Sequence, residues 1–168
     1  MGTHNQGRSF QASLPASHEG NTNTWFTPKW ITKNLGLFDL DPCTQTYRPH
    51  DIALKSICED MDKCGLSEQW HGRVWMNPPY GKMIGAWLDK LAAHGNGIAL
   101  VFSSTDTNWC QKAFSCADAV NFIDKRIRFI QEDGTLGGSP ARGSILLAYG
   151  AANIEYIKNV SGTTLLLK

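Results

Sequence analysis

The sequence predicts an α/β domain whose mostly parallel sheet ends in antiparallel strands. Strand and helix patterns alternate between residues 72 and 123, as they do in repeated strand–helix–strand units. The run Gly97–Phe102 is continuously apolar, which is typical of a central parallel strand buried on both faces. At 168 residues, the chain has the length of one domain.

The amino-terminal elements are short. A first helix is predicted with Thr27 as its N-cap and Pro28 in the first helical position, and it ends near Gly36. Phe38–Asp41 predicts a strand that Pro42 stops, because proline lacks the N–H that a strand donates.

The rest of the chain alternates between strands and helices. Residues 82–94 carry apolar side chains at helical spacing, and Gly95 suits the helix end. Residues 107–116 predict another helix, with Thr105 or Asp106 as its N-cap. Strands are predicted at Arg73–Met76, Gly97–Phe102, Ala119–Ile123, Arg126–Ile130 and Ser144–Tyr149. Loops are predicted at residues 43–70, apart from a short element near Ile52–Ile57, and at Gly134–Gly143.

Composition separates an arm from the domain. Residues 1–23 are rich in small and polar residues without a period, which predicts a flexible arm before a domain at residues 24–168. No run of about 18 apolar residues is present, and the amino terminus has no signal-peptide core. We therefore expect a cytoplasmic protein that does not contact a membrane. The sequence does not predict the oligomeric state.

Net charge and cysteine content argue against a generally basic nucleic-acid-binding protein and against a metal site. The net charge is +1, so any contact with nucleic acid must come from a local basic patch. The cysteines number five, an odd count that favours reduced thiols in the absence of a secretory signal. They include no C-x-x-C pair, which predicts no metal site. Three large side chains are predicted to lie in the core: Trp87, Phe102 and Trp109.

The most informative motif is Asn77-Pro78-Pro79-Tyr80, directly after an apolar strand. Open α/β sheets bind ligands at this end of their strands. Because the two prolines have no N–H, the Asn77 side chain and a neighbouring carbonyl can both accept hydrogen bonds from one planar NH₂ group. Tyr80 offers a face for stacking on a base. A simple chain terminator with a packed tyrosine would show the same four residues.

Six blocks in order along the chain carry a family resemblance: Trp25-x-Thr27-Pro28, Phe38-Asp39-Leu40-Asp41-Pro42-Cys43, Trp70 with Val74–Gly81, Thr105-Asp106-Thr107-x-Trp109, Arg126-Ile127-Arg128-Phe129 and Gly138-Ser139-Pro140. Together they resemble the phage-type DNA N6-adenine methyltransferase family. The resemblance implies a single Rossmann-like methyltransferase domain that transfers a methyl group from S-adenosylmethionine to N6 of adenine in DNA. It also implies a phage or prophage origin in a bacterial cytoplasm.

The resemblance also implies residue roles. Asn77 and the Pro78 carbonyl accept the two N6 hydrogens, Pro79 belongs to the same catalytic loop, and Tyr80 stacks on the adenine. The implied cofactor contacts are Thr27, Pro28, Asp41, Pro42, Cys43, Asp60, Asp62 and Asn77. Two alternatives remain open from the residues alone: Thr27 as a plain helix cap, and the acidic residues as a solvated surface. The glycine-rich loop that many methyltransferases carry after the first strand is missing here, and the family itself looks short of it.

DNA contacts are predicted on four basic residues. The N6 amine is hidden in a duplex, so the target adenine must be flipped out or single-stranded. Lys125, Arg126 and Arg128 form a local basic cluster, and Arg142 lies in the glycine-rich loop. Such residues suit phosphate contacts, although a solvated strand edge would have the same composition.

Two other functions fit parts of this pattern. An RNA adenine or a protein glutamine amide also presents a planar NH₂, and the near-neutral charge favours a protein substrate modestly. Glutamine methylases, however, usually show the glycine-rich loop and an added helical domain. A catalytically inactive DNA-binding module is the third possibility, and the missing glycine loop motivates it.

Overall fold

The computed structural model describes residues 25–58 and 64–168. Its strands are β1 (Phe38–Thr44), β2 (Ala53–Cys58), β3 (Val74–Met76), β4 (Gly97–Phe102), β5 (Ala119–Ile123), β6 (Ser144–Tyr149) and β7 (Gly162–Leu166). Its helices are α1 (Lys29–Thr32), α2 (Ile84–His94), α3 (Asn108–Cys116) and α4 (Ala152–Lys158). The strands form one seven-stranded sheet in the order β2-β1-β3-β4-β6-β5-β7.

The sheet has a parallel half and an antiparallel half. The strands β2, β1, β3 and β4 run parallel, whereas β6 is antiparallel to both β4 and β5, and β5 is antiparallel to β7. The carboxyl ends of β1, β3 and β4 therefore lie along one edge of the sheet. The predicted α/β class with antiparallel strands toward the carboxyl terminus is confirmed, and the layout is that of a Rossmann-like domain.

Both faces of the sheet are covered. Val74 and Met76 point into a core with Trp87 and Leu91 of α2. Trp75 points to the opposite face, into a second core that includes Ile157 of α4. All three residues of β3 are buried, which explains why this strand is a continuous apolar run.

The strand β1 continues through Pro42, so the prediction that proline stops it is wrong. The pairing of β1 with β2 shifts register between Asp41 and Thr44. Prolines are tolerated at such irregularities because no regular ladder bond depends on their missing N–H. The short element predicted near Ile52–Ile57 is the strand β2, which extends the sheet beyond β1.

Both predicted helix caps are displaced. The N-cap of α1 is Pro28, with no side-chain bond, and Thr27 lies before the helix. The N-cap of α3 is Thr107, whose side chain accepts a hydrogen bond from the Cys110 N–H, rather than Thr105 or Asp106. The predicted stop of α2 is confirmed, since Gly95 adopts a left-handed conformation with φ of 74°.

The segment predicted as a strand at residues 126–130 is not part of the sheet. It has the alternation of a half-buried strand, because Ile127 and Phe129 are buried while Arg126 and Arg128 are exposed. Its only ladder-like pairing among the described residues is at Ile130, which bridges to Phe26 and Leu136. The alternation of basic and apolar residues thus predicted which side chains are buried, but it did not predict which segment the backbone pairs with.

The described residues contain no helix long and apolar enough to cross a membrane. Within the same residues, no three or more His, Cys, Asp or Glu side chains group closely enough to hold a metal ion. The predicted arm at residues 1–23 lies outside the described residues.

Candidate active site

A cavity of about 660 Å³ opens at the carboxyl edge of the parallel strands. This volume is within the range of small-molecule sites, roughly 300–1,000 Å³. Its lining comes from four parts of the chain: Trp25, Phe26 and Thr27; Asp41, Cys43, Thr44, Gln45 and Ile52; Trp75, Asn77, Pro78, Pro79, Tyr80 and Phe102; and Phe129, Gly138, Ser139 and Pro140. All four residues of the Asn-Pro-Pro-Tyr motif therefore face one cavity.

The Asn77 side chain is held by one end of its amide. Its Nδ2 donates a hydrogen bond to the Trp25 carbonyl at 3.3 Å. No described residue bonds to its Oδ1, so this oxygen remains an acceptor for a ligand. The next residue, Pro78, is buried, and no described group donates to its carbonyl. Two neighbouring residues that line the cavity thus each carry an acceptor without a described donor.

Tyr80 is fixed against the end of the neighbouring strand β4. Its hydroxyl accepts a hydrogen bond from the Phe102 N–H at 2.8 Å. The two rings stack with centroids 4.5 Å apart and an angle of 23° between their planes. Burial of the hydroxyl raises the Tyr80 pKa above its ordinary value, so the group stays neutral. One ring face is covered by Phe102, and the residue as a whole is 44% exposed, so part of Tyr80 remains accessible to a flat ligand.

Asp41 places a buried carboxyl group in the wall of the cavity. The residue is only 7% exposed, and its burial raises the pKa from 3.8 to about 7. The Cys43 N–H donates to its Oδ1 at 3.3 Å, and the charge of Arg48 also favours the ionised form, but desolvation outweighs both. A cationic ligand group at this position would return the carboxyl to its charged state.

Thr27 lines the same cavity and has a buried hydroxyl without a described partner. The residue is 2% exposed, and its Oγ1 has no hydrogen-bond partner in the described part of the chain. An unpaired buried hydroxyl costs about 1–3 kcal/mol, so a ligand that bonds to it would recover that cost. Of the other predicted cofactor residues, Cys43 lines the cavity, whereas Pro28 and Pro42 are buried outside its lining. Asp60 and Asp62 lie outside the described residues.

The predicted DNA-contacting residues are exposed and stand outside the cavity lining. Arg142 donates to Ser104 Oγ at 3.3 Å, next to the end of β4. The guanidinium of Arg126 approaches Gly143, which brings it to the same edge. Arg128 instead donates to the Gly137 carbonyl at 2.8 Å, and the Lys125 ammonium lies 4.4 Å from the centre of the Trp30 ring.

Some cavity residues were not predicted as site residues. Phe102 was expected in the core, but it is the last residue of β4 and forms part of the wall. Its position as the last residue of a predicted parallel strand was a signal that could have identified it, because ligands bind at that end of such strands. Gln45 and Ile52 follow β1 and carried no comparable signal. Trp25, Phe129 and Gly138–Pro140 lay in the family-like blocks without an assigned role.

Together these features define an α/β enzyme whose cavity suits a flat ligand carrying an amine. The profile of the DNA N-6-adenine-methyltransferase (Dam) family matches residues 16–160, and the chain therefore belongs to that family. It is a DNA adenine-N6 methyltransferase, with DNA as its substrate and with a need for a methyl donor. No curated protein matched the chain. No solved structure matched it either.

Proposed function

We propose that this chain uses S-adenosylmethionine to methylate N6 of an adenine that is flipped out of DNA into the cavity. The observation that carries the proposal is the pair of acceptors at Asn77 and Pro78. The Asn77 amide is bonded through Nδ2 to Trp25, which leaves Oδ1 available beside a carbonyl that no described group engages.

The two acceptors would bind the two hydrogens of the adenine amine. Accepting both hydrogens pulls the nitrogen toward tetrahedral geometry and withdraws its lone pair from the ring. Asn77 and Pro78 would then contribute mainly by positioning the amine for attack, with electrostatic stabilisation as the nitrogen gains positive charge. Pro79 stiffens the loop because its φ is restricted. No strong base is required before attack, since the extra proton can leave afterwards.

The residues around Asp41 fit the proposed cofactor. S-adenosylmethionine, when bound, supplies an electrophilic methyl group on a sulfonium. Asp41 would pair with a charged amino group, Thr27 would use its free hydroxyl, and Cys43 and Asn77 complete the contacts that line the cavity. Pro28 and Pro42 would support these contacts from behind. Asp60 and Asp62 remain proposed contacts for the adenine amine or the ribose.

DNA would approach along the edge that carries Tyr80. The Tyr80 ring would stack on the flipped adenine through the face opposite Phe102. Arg126 and Arg142 are exposed near the end of β4, where they would contact phosphates. Lys125 and Arg128 would add charge, although Arg128 is already bonded to the Gly137 carbonyl.

We propose residues 24–168 as the methyltransferase domain, preceded by a flexible arm at residues 1–23. The sequence resemblance to phage-type enzymes supports a phage or prophage origin and activity in the cytoplasm of a bacterial host.

The test combines radiolabelled S-adenosylmethionine with unmethylated bacterial DNA, followed by nucleoside digestion and mass analysis. We expect N6-methyladenine with the natural protein and a loss of at least roughly a hundredfold in turnover with Asn77→Ala. Cofactor affinity should be nearly unchanged in this variant. The matched control is Asn108→Ala, because Asn108 is exposed at the start of α3.

Three other outcomes would each contradict a part of the proposed function. Cofactor binding without label in DNA would point to RNA adenine or a protein glutamine amide. Absence of cofactor binding, with DNA still bound, would favour the inactive binding module. Loss of cofactor binding in Asn77→Ala would mean that Asn77 supports the fold or the cofactor rather than the amine.

A further inference from the structure

We infer that Trp25 is a positioning residue for catalysis: its backbone carbonyl orients the Asn77 amide, and the loop at residues 129–137 holds that carbonyl in place. The inference rests on the proposed function of Asn77 as an acceptor of the adenine amine. The contact is the 3.3 Å hydrogen bond from Asn77 Nδ2 to the Trp25 carbonyl.

The orientation of this amide decides whether Asn77 can accept. A terminal amide can rotate by half a turn at small cost, because its torsion is broad and roughly two-fold. With Nδ2 toward the cavity, the side chain would present donors to the donors of the adenine amine. A fixed acceptor on the opposite side of Asn77 selects the productive orientation, and Trp25 is the described residue that supplies it.

The position of the Trp25 carbonyl depends on the residue that follows it. Phe26 exchanges two backbone hydrogen bonds with Ile130, each 2.9 Å long. Phe26 is also buried, so this short bridge anchors the strap at residues 25–27 against the beginning of the loop. Ile130 in turn bridges to Leu136, which closes the loop on itself.

The Trp25 indole adds a second contact with the same loop. A Cβ built on Gly137 would lie 2.4 Å from Cζ3 of the indole and 3.2 Å from the Phe129 carbonyl. The Gly137 N–H donates to that carbonyl at 2.8 Å, and Arg128 Nε donates to the Gly137 carbonyl at 2.8 Å. Gly137 is therefore fixed in place, and the indole packs where any other residue would carry a side chain.

The experiment uses Gly137→Ala, Trp25→Ala and the double variant in the full chain. Gly137→Ala displaces the indole, whereas Trp25→Ala removes it, so both loosen the strap. Each single variant should lower kcat by on the order of tenfold to a hundredfold, with a smaller effect on the KM for S-adenosylmethionine, because Thr27 on the same strap is a proposed cofactor contact. The double variant should be no slower than Trp25→Ala, because the added methyl group then has no indole to displace. Gly85→Ala is the matched control, since its nearest contact would be Trp109 Cβ at an ordinary 3.7 Å.

A spectroscopic measurement reads the hydrogen bond itself. The ¹⁵N side-chain amide signal of Asn77, assigned by its loss in Asn77→Asp, should shift in Gly137→Ala and in Trp25→Ala but not in Gly85→Ala. Unchanged kcat and an unchanged amide signal in both single variants would overturn the inference. Full activity of Asn77→Ala would instead refute the proposed role of Asn77, whatever the amide signal shows.

Discussion

The parallel and antiparallel halves of the sheet contribute to the cavity in different ways. In the parallel half, Asp41, Asn77 and Phe102 come from three neighbouring strands or directly follow them. In the antiparallel half, none of the residues in β5, β6 or β7 lines the cavity. That half contributes through the connection at residues 124–143, which supplies Phe129 and Gly138–Pro140.

The directions of the strands explain this difference. Parallel strands all end at the same edge, so each can place a residue there. In the antiparallel half, the end of β5 and the start of β6 lie at that edge, because Phe102 pairs with Ser144 and Phe122 pairs with Ile145. Their connection therefore emerges beside the cavity, whereas α4 follows β6 at the opposite edge. We expect changes in the parallel half to affect S-adenosylmethionine binding and the chemistry, and changes in the basic residues of the connection to affect DNA binding.

The largest of these effects is expected for Asp41→Asn, which should weaken S-adenosylmethionine binding by roughly tenfold to a hundredfold at about pH 7.5, as expected for loss of a charged hydrogen bond. In the natural protein, the affinity for S-adenosylmethionine should fall as the pH decreases below about 7, since binding must then ionise Asp41. The variant should lack this pH dependence. Titration calorimetry at about pH 6 and about pH 7.5, below the ordinary pKa of an α-amino group, measures both effects.

The stability of the ligand-free protein serves as the control for Asp41→Asn. Because the folded state raises this pKa from 3.8 to about 7, it binds the proton more tightly than the unfolded chain does. The contribution of Asp41 to folding is therefore fully present below about pH 4 and is lost as the pH rises to about 7. Asp41→Asn should raise the melting temperature at about pH 8 relative to the natural protein. Equal pH dependence of donor binding in the two proteins would contradict the proposed pairing.

A smaller effect is expected in the connection. Arg126→Ala and Arg142→Ala should each weaken DNA binding and reduce the slope of log affinity against log salt by about 1. The affinity of both variants for S-adenosylmethionine should not change. Fluorescence anisotropy across a salt series provides the measurement. Lys158→Ala is the control, because Lys158 belongs to α4, after the far end of β6, and pairs with Glu155. A salt slope that is unchanged in both arginine variants would remove them from the DNA interface.

The smallest effect is expected at the contact between Tyr80, which follows β3, and Phe102 at the end of β4. Tyr80→Phe removes the acceptor of the Phe102 N–H and should lower the free energy of unfolding by about 1 kcal/mol. Turnover should be largely retained, because the ring and its stacking on Phe102 remain. Denaturant unfolding and turnover are compared with Tyr156→Phe, a tyrosine on α4 that is 38% exposed. A loss of turnover as large as that expected for Asn77→Ala would give the hydroxyl a chemical role.

Prediction from the sequence succeeded where the signal was local and continuous. The bounds of β4, β5 and β6 agree with the predicted runs, because strands buried on both faces are apolar along their length. It failed where a distant partner decided the outcome. The strand β1 continues past Pro42 because its pairing with β2 resumes at Thr44 after a shift of register. The segment at residues 126–130 stays outside the sheet even though it has the alternation of a strand.

Two features follow from neighbouring residues alone: Asn77-Pro78-Pro79-Tyr80 comes directly after a buried strand, and the elements have an α/β order. Three others arise only when the chain folds. The Trp25 carbonyl holds the Asn77 amide across 52 positions of sequence, Phe102 covers one face of Tyr80, and Asp41 has a raised pKa. These features depend on burial and on contacts between residues that are distant in sequence. The spacing of residues along the chain predicts neither burial at this level of detail nor such contacts.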